Sequence, residues 1–246
     1  MSVNWFKYSS PAAFYPVAGR LVPWFLAAAA VLTVAGLYIG FFVAPTDAQQ
    51  GESYRIIYIH VATAWMSMFL YLVMAFWAGF GLAFNTRLSS MMASAIAPTG
   101  ALMTFIALWT GALWGKPTWG TWWVWDARLT SELILLFLYL GFISLQASID
   151  DSRRADKAGA VLALVGVVNI PIIYFSVQWW NTLHQGASVS LTKSPSMAAT
   201  MLTGMLVFAL AAWMYCIAAS LMRVRSIILE RESSADWARQ MREASP

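Results

Sequence analysis

Two histidines and a dense run of tryptophans are the residues of this 246-residue chain whose types could do chemistry. His60 and His184 are the only histidines. Neutral imidazole is a common metal ligand, so two of them from separate segments could close on one metal from opposite sides. The single cysteine, Cys216, excludes an intramolecular disulfide, a cysteine-based zinc site and a c-type haem attachment motif. Zinc would want four ligands, usually three or four from protein, and only Asp126 and Glu52 could join the pair. Haem iron needs one or two axial ligands, so two histidines match haem better than zinc. Taken singly, each histidine could equally be structural or solvated, and that alternative stays open on spacing alone.

The tryptophans add a second element. Six of the chain's 14 lie between positions 109 and 125, five of them in the run Trp114-Gly115-Lys116-Pro117-Thr118-Trp119-Gly120-Thr121-Trp122-Trp123-Val124-Trp125-Asp126. Tryptophans anchoring a protein at headgroup level are scattered around helix ends. That accounts for Trp24 or Trp77 but poorly for this cluster, packed into one segment bent by Gly115, Pro117 and Gly120. Trp offers a large flat face at low entropic cost while its indole N–H can still donate. The run therefore reads as a platform for a planar, mostly apolar ligand.

The elements that must position these residues are membrane spans. Apolar residues make up 60% of the chain and charged ones 11%, far from the soluble norm of roughly 45–50% and 25%. A bilayer core takes roughly 20 apolar residues as a helix. Six stretches qualify, at about 21–43, 56–84, 91–114, 129–149, 158–177 and 197–222. Backbone groups in lipid must be satisfied internally, so each is expected to be helical, in one integral all-α membrane domain. The first span starts too late and is too long for a cleaved signal peptide. It is expected to be retained.

Basic residues set the orientation. Lys7, Arg20, Arg87, Arg153, Arg154, Lys157, Arg223, Arg225, Arg231, Arg239 and Arg242 fall on one side of the six spans, and Arg55, Lys116, Arg128 and Lys193 on the other. The positive-inside rule puts the larger set in the cytoplasm, with both termini. The net charge of +4 thus reports topology and gives no reason to expect nucleic acid. The segment 223–246 is read as a solvated cytoplasmic tail, with an amphipathic helix through Ile227, Ile228 and Trp237 as the alternative. Both histidines and the Trp-rich segment 114–128 then collect on the outer, periplasmic side. Arg55 and Arg128 lie there too. Each could hold a carboxylate such as a haem propionate, or simply snorkel at a helix end. Asp126 could cap the fourth span. Glu132, one turn deeper, could be interfacial or a supporting partner.

The run from Trp114 to Thr130 resembles the tryptophan-rich WWD signature of a haem-handling superfamily that serves cytochrome c biogenesis. The length, the six spans and one outer histidine on either side of the signature are similar to its cytochrome c maturation protein C family. The resemblance implies a multi-pass protein of the bacterial inner membrane. It implies binding of haem b at the outer face and delivery to a membrane-anchored periplasmic haem chaperone. It implies work beside ABC-type ATPase and permease subunits and a small single-span subunit. His60 and His184 match the family's axial ligands to haem iron. Trp114, Trp119, Trp122, Trp123, Trp125 and Asp126 match its haem and chaperone surface, and Arg55 and Arg128 are expected to contact propionates.

No nucleotide-binding loop is present, so ATP use would belong to a partner. No nucleophile or acid–base pair stands out, and the chain reads as a haem-presenting protein rather than an enzyme. The competing reading is a permease-like or structural subunit of an ABC-type transport complex. The absence of an ionisable residue near mid-membrane argues mildly against it.

Overall fold

The structure is a computed structural model and describes residues 9–186, 189 and 194–243, the last three by backbone alone. Lys7 and Lys193, counted above for orientation, lie outside the described residues. Six helical stretches are long and apolar enough to cross a membrane: Pro11–Val43, Glu52–Phe84, Arg87–Trp119, Ala127–Ser148, Ser152–Trp179 and Ala199–Arg231. The chain is a multi-pass, all-helical membrane protein, as its composition requires. Helix α1 covers Pro11–Tyr38, α2 Ile57–Phe84, α3 Arg87–Trp119, α4 Ala127–Ser148, α5 Ser152–Gly166, α6 Asn169–Trp179, α7 Ala199–Arg231 and α8 Asp236–Glu243. Helix α1 lies along α7 and α2 along α3, while α4 joins α3 to α5 and α6.

The helix ends follow local chemistry. Ser10 caps α1 by accepting from the Ala13 N–H, and Pro11 occupies the first turn, where a missing N–H costs nothing. Asp126 and Asp151 cap α4 and α5 by accepting from Leu129 N and Arg154 N, each at 2.8 Å. Asn85 and Gly120 close α2 and α3 in the left-handed region. Gly120, at φ 77°, is where the Trp-rich segment turns away from α3.

Three departures from the sequence reading have physical causes. The segment expected as a loop from residue 114 is helical to Trp119, because Pro117 sits in the last turn. Its missing N–H there breaks only one bond. The fifth span is broken: Pro171 cannot donate to the carbonyl four residues back. The N–H groups of Val167 and Val168 instead reach Leu164 and Val165 at 3.3 and 3.4 Å. Buried Asn169 secures the break by donating to the Ser131 carbonyl at 2.9 Å.

The tail is also not solvated as expected. Helix α7 continues to Arg231, with Val224 and Ile228 fully buried beside Tyr15, Met91 and Ala95. Trp237 of α8 packs on Tyr15 at 6.1 Å. The apolar residues 224, 227 and 228 recur at helical spacing, which is what lets the helix extend past the span.

The core between α2, α3, α4 and α5 holds Tyr71, Met74, Leu135, Tyr139 and Phe142. Gly100 admits the Tyr139 ring, since a Cβ there would stand 2.2 Å from it. Tyr139 in turn donates to the Ser67 carbonyl at 2.8 Å, fixing α4 against α2 just below the histidines.

Candidate functional site

His60 sits in the first turn of α2, and His184 in the non-helical segment after α6. Their ring centres are 6.3 Å apart, with planes inclined by 37°. Two imidazoles on opposite sides of one metal, each bonded at about 2.0–2.1 Å, have ring centres about 6 Å apart. His60 Nδ1 donates to the Ala107 carbonyl at 3.1 Å and lies at the same distance from Thr110 Oγ1. His184 Nδ1 donates to the Gln185 carbonyl at 2.8 Å. A carbonyl only accepts, so each Nδ1 carries the proton and each Nε2 keeps its lone pair. This is the outer-shell arrangement that fixes the tautomer of a metal-ligating histidine. Burial, and then the Arg128 guanidinium, hold the His184 imidazole below its ordinary pKa and therefore neutral.

Space opens on both sides of the histidine pair. A cavity of about 420 Å³ touches both rings and runs between α2, α6 and α7, past Val61, Trp65, Met68, Val177 and Met205. That volume lies in the range of small-molecule pockets, about 300–1,000 Å³. Two smaller cavities, about 40 Å³ each, touch the same two rings on the α3 and α4 side. Space beside the two rings is what a flat macrocycle needs. Gly111 keeps part of it open, because a Cβ there would lie 3.1 Å from His60 Cε1. Among the described residues no cluster of three or more His, Cys, Asp or Glu could hold a bare metal ion. The donor set suits a metal that brings its own equatorial ligands.

The tryptophans divide by position. Trp114 packs edge-on against His60 at 5.6 Å and donates to Gln50 Oε1 at 2.7 Å. Trp119 lies 6.1 Å from the His184 ring. Trp123 lines the smaller cavity beside Arg128, and its buried indole N–H has no partner among the described residues. Trp122 and Trp125 point elsewhere and are 54% and 77% exposed. Trp125 meets the edge of Trp123, and the Lys116 ammonium lies 6.0 Å from the Trp122 ring. The run thus supplies three rings to the histidine site and two to the surface.

Arg128 and Arg55 differ as well. Arg128 borders the large cavity and one of the small ones, while its Nη1 donates to the Ile173 carbonyl at 2.6 Å. Arg55 lines none of the cavities that touch the histidines. Its guanidinium is taken up by Glu52, by the Gly40 carbonyl and by the Ala44 carbonyl at 3.3 Å. The Gly40 carbonyl is free because the chain widens into a π turn at Ile39–Val43, where Ala44 N reaches back five residues to Ile39 O. Arg55 thus straps the end of α1 to the start of α2.

Asp126 does more than cap. Its second carboxylate oxygen accepts from Thr182 Oγ1, and that hydroxyl oxygen accepts from the His184 N–H at 3.0 Å. The Asp126–Thr182–His184 chain ties the histidine segment to α4. Sequence reading missed Thr182, Gln50, Thr110 and Gly111. Only Thr182, two residues before His184, carried a local signal. The others act across helices that no spacing rule pairs.

The family model described as "Heme exporter protein C" matches residues 4–239. The chain belongs to this family. Heme exporter protein C of Escherichia coli is 47% identical over 232 residues, covering 94% of this chain and 93% of the relative. The protein of that name from Bradyrhizobium diazoefficiens is 46% identical over 223 residues, covering 91% and 84%. A putative cytochrome c biosynthesis ccmC-like mitochondrial protein of Marchantia polymorpha is 50% identical over 159 residues, covering 65% and 67%.

Proposed function

We propose that this protein binds haem b between His60 and His184 and presents it for c-type cytochrome biogenesis. Relatives named heme exporter protein C support a role in haem export or cytochrome c maturation. The observation that carries the ligand assignment is the pair of imidazoles 6.3 Å apart, each with Nδ1 tied to a carbonyl and Nε2 left as a donor. Trp114, Trp119 and Trp123 wall the cargo, and Arg128 faces its propionates. Arg55 acts one step back, by fixing the start of the helix that carries His60.

In this reading the site lies at the periplasmic face of the bacterial inner membrane, with both termini in the cytoplasm. Trp122 and Trp125, exposed beside the site, form the docking surface for a membrane-anchored periplasmic haem chaperone. An ABC-type ATPase with its permease, and a small single-span subunit, complete the assembly. His184 is the exchangeable ligand, because it stands on an irregular segment next to Gly186 whereas His60 is built into a helix.

The test is the absorption spectrum of the purified protein in detergent, wild type beside H60A and H184A. A bis-imidazole haem spectrum in the wild type that is lost or shifted in each variant is expected. A wild type that takes up no haem overturns the reading. Haem release measured in the two variants separates their roles: faster loss from H184A, which leaves only His60, than from H60A, which leaves only His184, overturns the choice of His184. Titrating the chaperone against W122A and W125A should show weakened docking with haem retained.

A further inference from the structure

We propose that the cavity at the end of the bundle away from the histidines binds an anionic phosphate group, as carried by a phospholipid headgroup. The inference is independent of the haem-binding reading. The cavity measures about 260 Å³ and lies where three spanning stretches begin or end, at Arg87, Ser152 and Arg231. That is the depth at which the polar headgroups of a bilayer meet a helix end. Four cations, Arg87, Arg153, Lys157 and Arg231, border it against two carboxylates, Asp156 and Glu232.

Both carboxylates are occupied by protein. Arg231 holds Asp156 at 2.8 and 3.0 Å, and Arg87 Nη1 lies 2.8 Å from Glu232 Oε1. Arg153 and Lys157 remain, with no ion-pair partner among the described residues. They stand four residues apart on α5, so their side chains share one face, where like charges repel. An anion between them removes that repulsion. Helix α3 also starts at this cavity. The Thr86 side chain does not cap it, and its hydroxyl donates instead to Ser89 Oγ at 2.7 Å. The first-turn N–H groups of α3 therefore add a partial positive charge beside the same space.

The rest of the wall favours a lipid over a free ion. Leu82 and Met91 line the cavity, and Leu82 is exposed at the end of the second span. A headgroup can place its phosphate by Arg153 and Lys157 while the apolar part of the same molecule lies against Leu82. A free ion gains only the first contact. Basic pockets between the ends of spanning helices are a recurrent means of holding anionic headgroups, and each Lys or Arg strengthens such binding about fivefold.

The experiment titrates the full-length protein, in a neutral detergent, with phosphatidylglycerol, with phosphatidylcholine of the same chains and with inorganic phosphate. Bound adducts are counted by native mass spectrometry. Wild type is compared with R153Q/K157Q and with R154Q/R223Q, which removes two exposed charges that do not border the cavity. Wild type should bind phosphatidylglycerol in preference to phosphatidylcholine. R153Q/K157Q should bind it roughly thirtyfold more weakly, and R154Q/R223Q nearly as wild type does. Should the first double variant misfold, K157Q alone decides, with an expected loss of about fivefold. Inorganic phosphate bound without the lipid, and lost in R153Q/K157Q, supports the phosphate site and makes the free ion its source. Equal affinity for the two lipids, with no phosphate bound, overturns the proposal. So does an equal loss in both double variants, which is what a diffuse basic surface gives. A wild type that binds neither phosphatidylglycerol nor phosphate overturns it as well.

Discussion

At the end of the bundle away from the histidines, Arg231 holds Asp156 through two nitrogens, at 2.8 and 3.0 Å, and Arg87 reaches Glu232 at 2.8 Å. Arg225 lies over the Tyr15 ring at 4.4 Å. A cavity of about 260 Å³ opens there among Arg87, Arg153, Asp156, Lys157, Arg231 and Glu232. At the histidine end, Arg128 spends a donor on a backbone carbonyl, and both imidazoles give their N–H to carbonyls. The first end matches charge with charge and joins α3, α5 and α7. The second uses backbone oxygens to orient side chains and, among the described residues, leaves ring nitrogens and an indole N–H without hydrogen-bond partners. Paired charges stabilise a fold, although Arg225 Nε at the first end is also buried without a hydrogen-bond partner among the described residues; held but unsatisfied groups that border a cavity are what a ligand can complete.

The sharpest way to break this contrast is His60→Ala. If the histidine end is built for an iron between two imidazoles, the bis-imidazole bands should vanish altogether. Helix content by circular dichroism should be unchanged. Persistence of those bands would remove the basis for treating the two ends differently.

Gly111→Val probes the space rather than the ligand. A Cβ at 3.1 Å from His60 Cε1 already presses the ring, and two further methyls need room that α2 and α3 do not leave. Overpacking of this kind costs about 1–3 kcal/mol, so haem affinity should fall by roughly five- to 150-fold. Competitive haem titration measures it. An unchanged affinity would mean that the cargo does not use the α3 side.

Thr182→Val keeps the side-chain shape and removes one hydroxyl. It cuts the link from Asp126 to the His184 backbone. One hydrogen bond contributes about 0.5–1.5 kcal/mol, so haem should leave roughly two- to tenfold faster. Haem dissociation to an apoprotein acceptor reads this directly. A rate equal to wild type would show that the segment is held by something other than Thr182.

These residues also show how much was legible beforehand. Length and charge pattern gave six spans, because a bilayer admits so few backbone solutions. His60 and His184 were legible because they are the only two histidines, and Trp114, Trp119 and Trp123 because they stand in one run. Which tryptophans turn inward was not legible. That depends on where α3 ends, and Pro117 tolerated within the last turn moved that end to Trp119. Arg55 and Arg128 looked alike in sequence. They differ because the π turn that follows α1 frees the Gly40 carbonyl for one, while the other stands at the cavity edge. The partners of Glu132 and of Arg231 come from other helices, Ser67 from α2 and Asp156 from α5. Helical spacing relates residues within a helix and is silent on such pairs.

The smallest effect is expected from Asp156→Asn, and it tests whether the two ends are independent. Asp156 and Arg231 are 16% and 20% exposed at the side chain, so their pairing is neither fully buried nor freely solvated. Asparagine keeps one acceptor oxygen for Arg231 but loses the charge and the two-pronged geometry. Exposed pairs contribute about 0–1 kcal/mol and hydrogen bonds to charged groups about 1.5–3 kcal/mol, so a loss of about 1 kcal/mol is expected. It should appear as a modest fall in the midpoint of thermal unfolding in detergent. Sites far apart with no shared partners contribute additively. The haem spectrum and haem dissociation rate should therefore match wild type. A slower or faster release from this variant would show that α5 transmits strain from the charged end through the break at Val167 and Val168 to α6, whose Ile173 carbonyl holds Arg128. The two ends would then be one coupled device rather than a scaffold and a site.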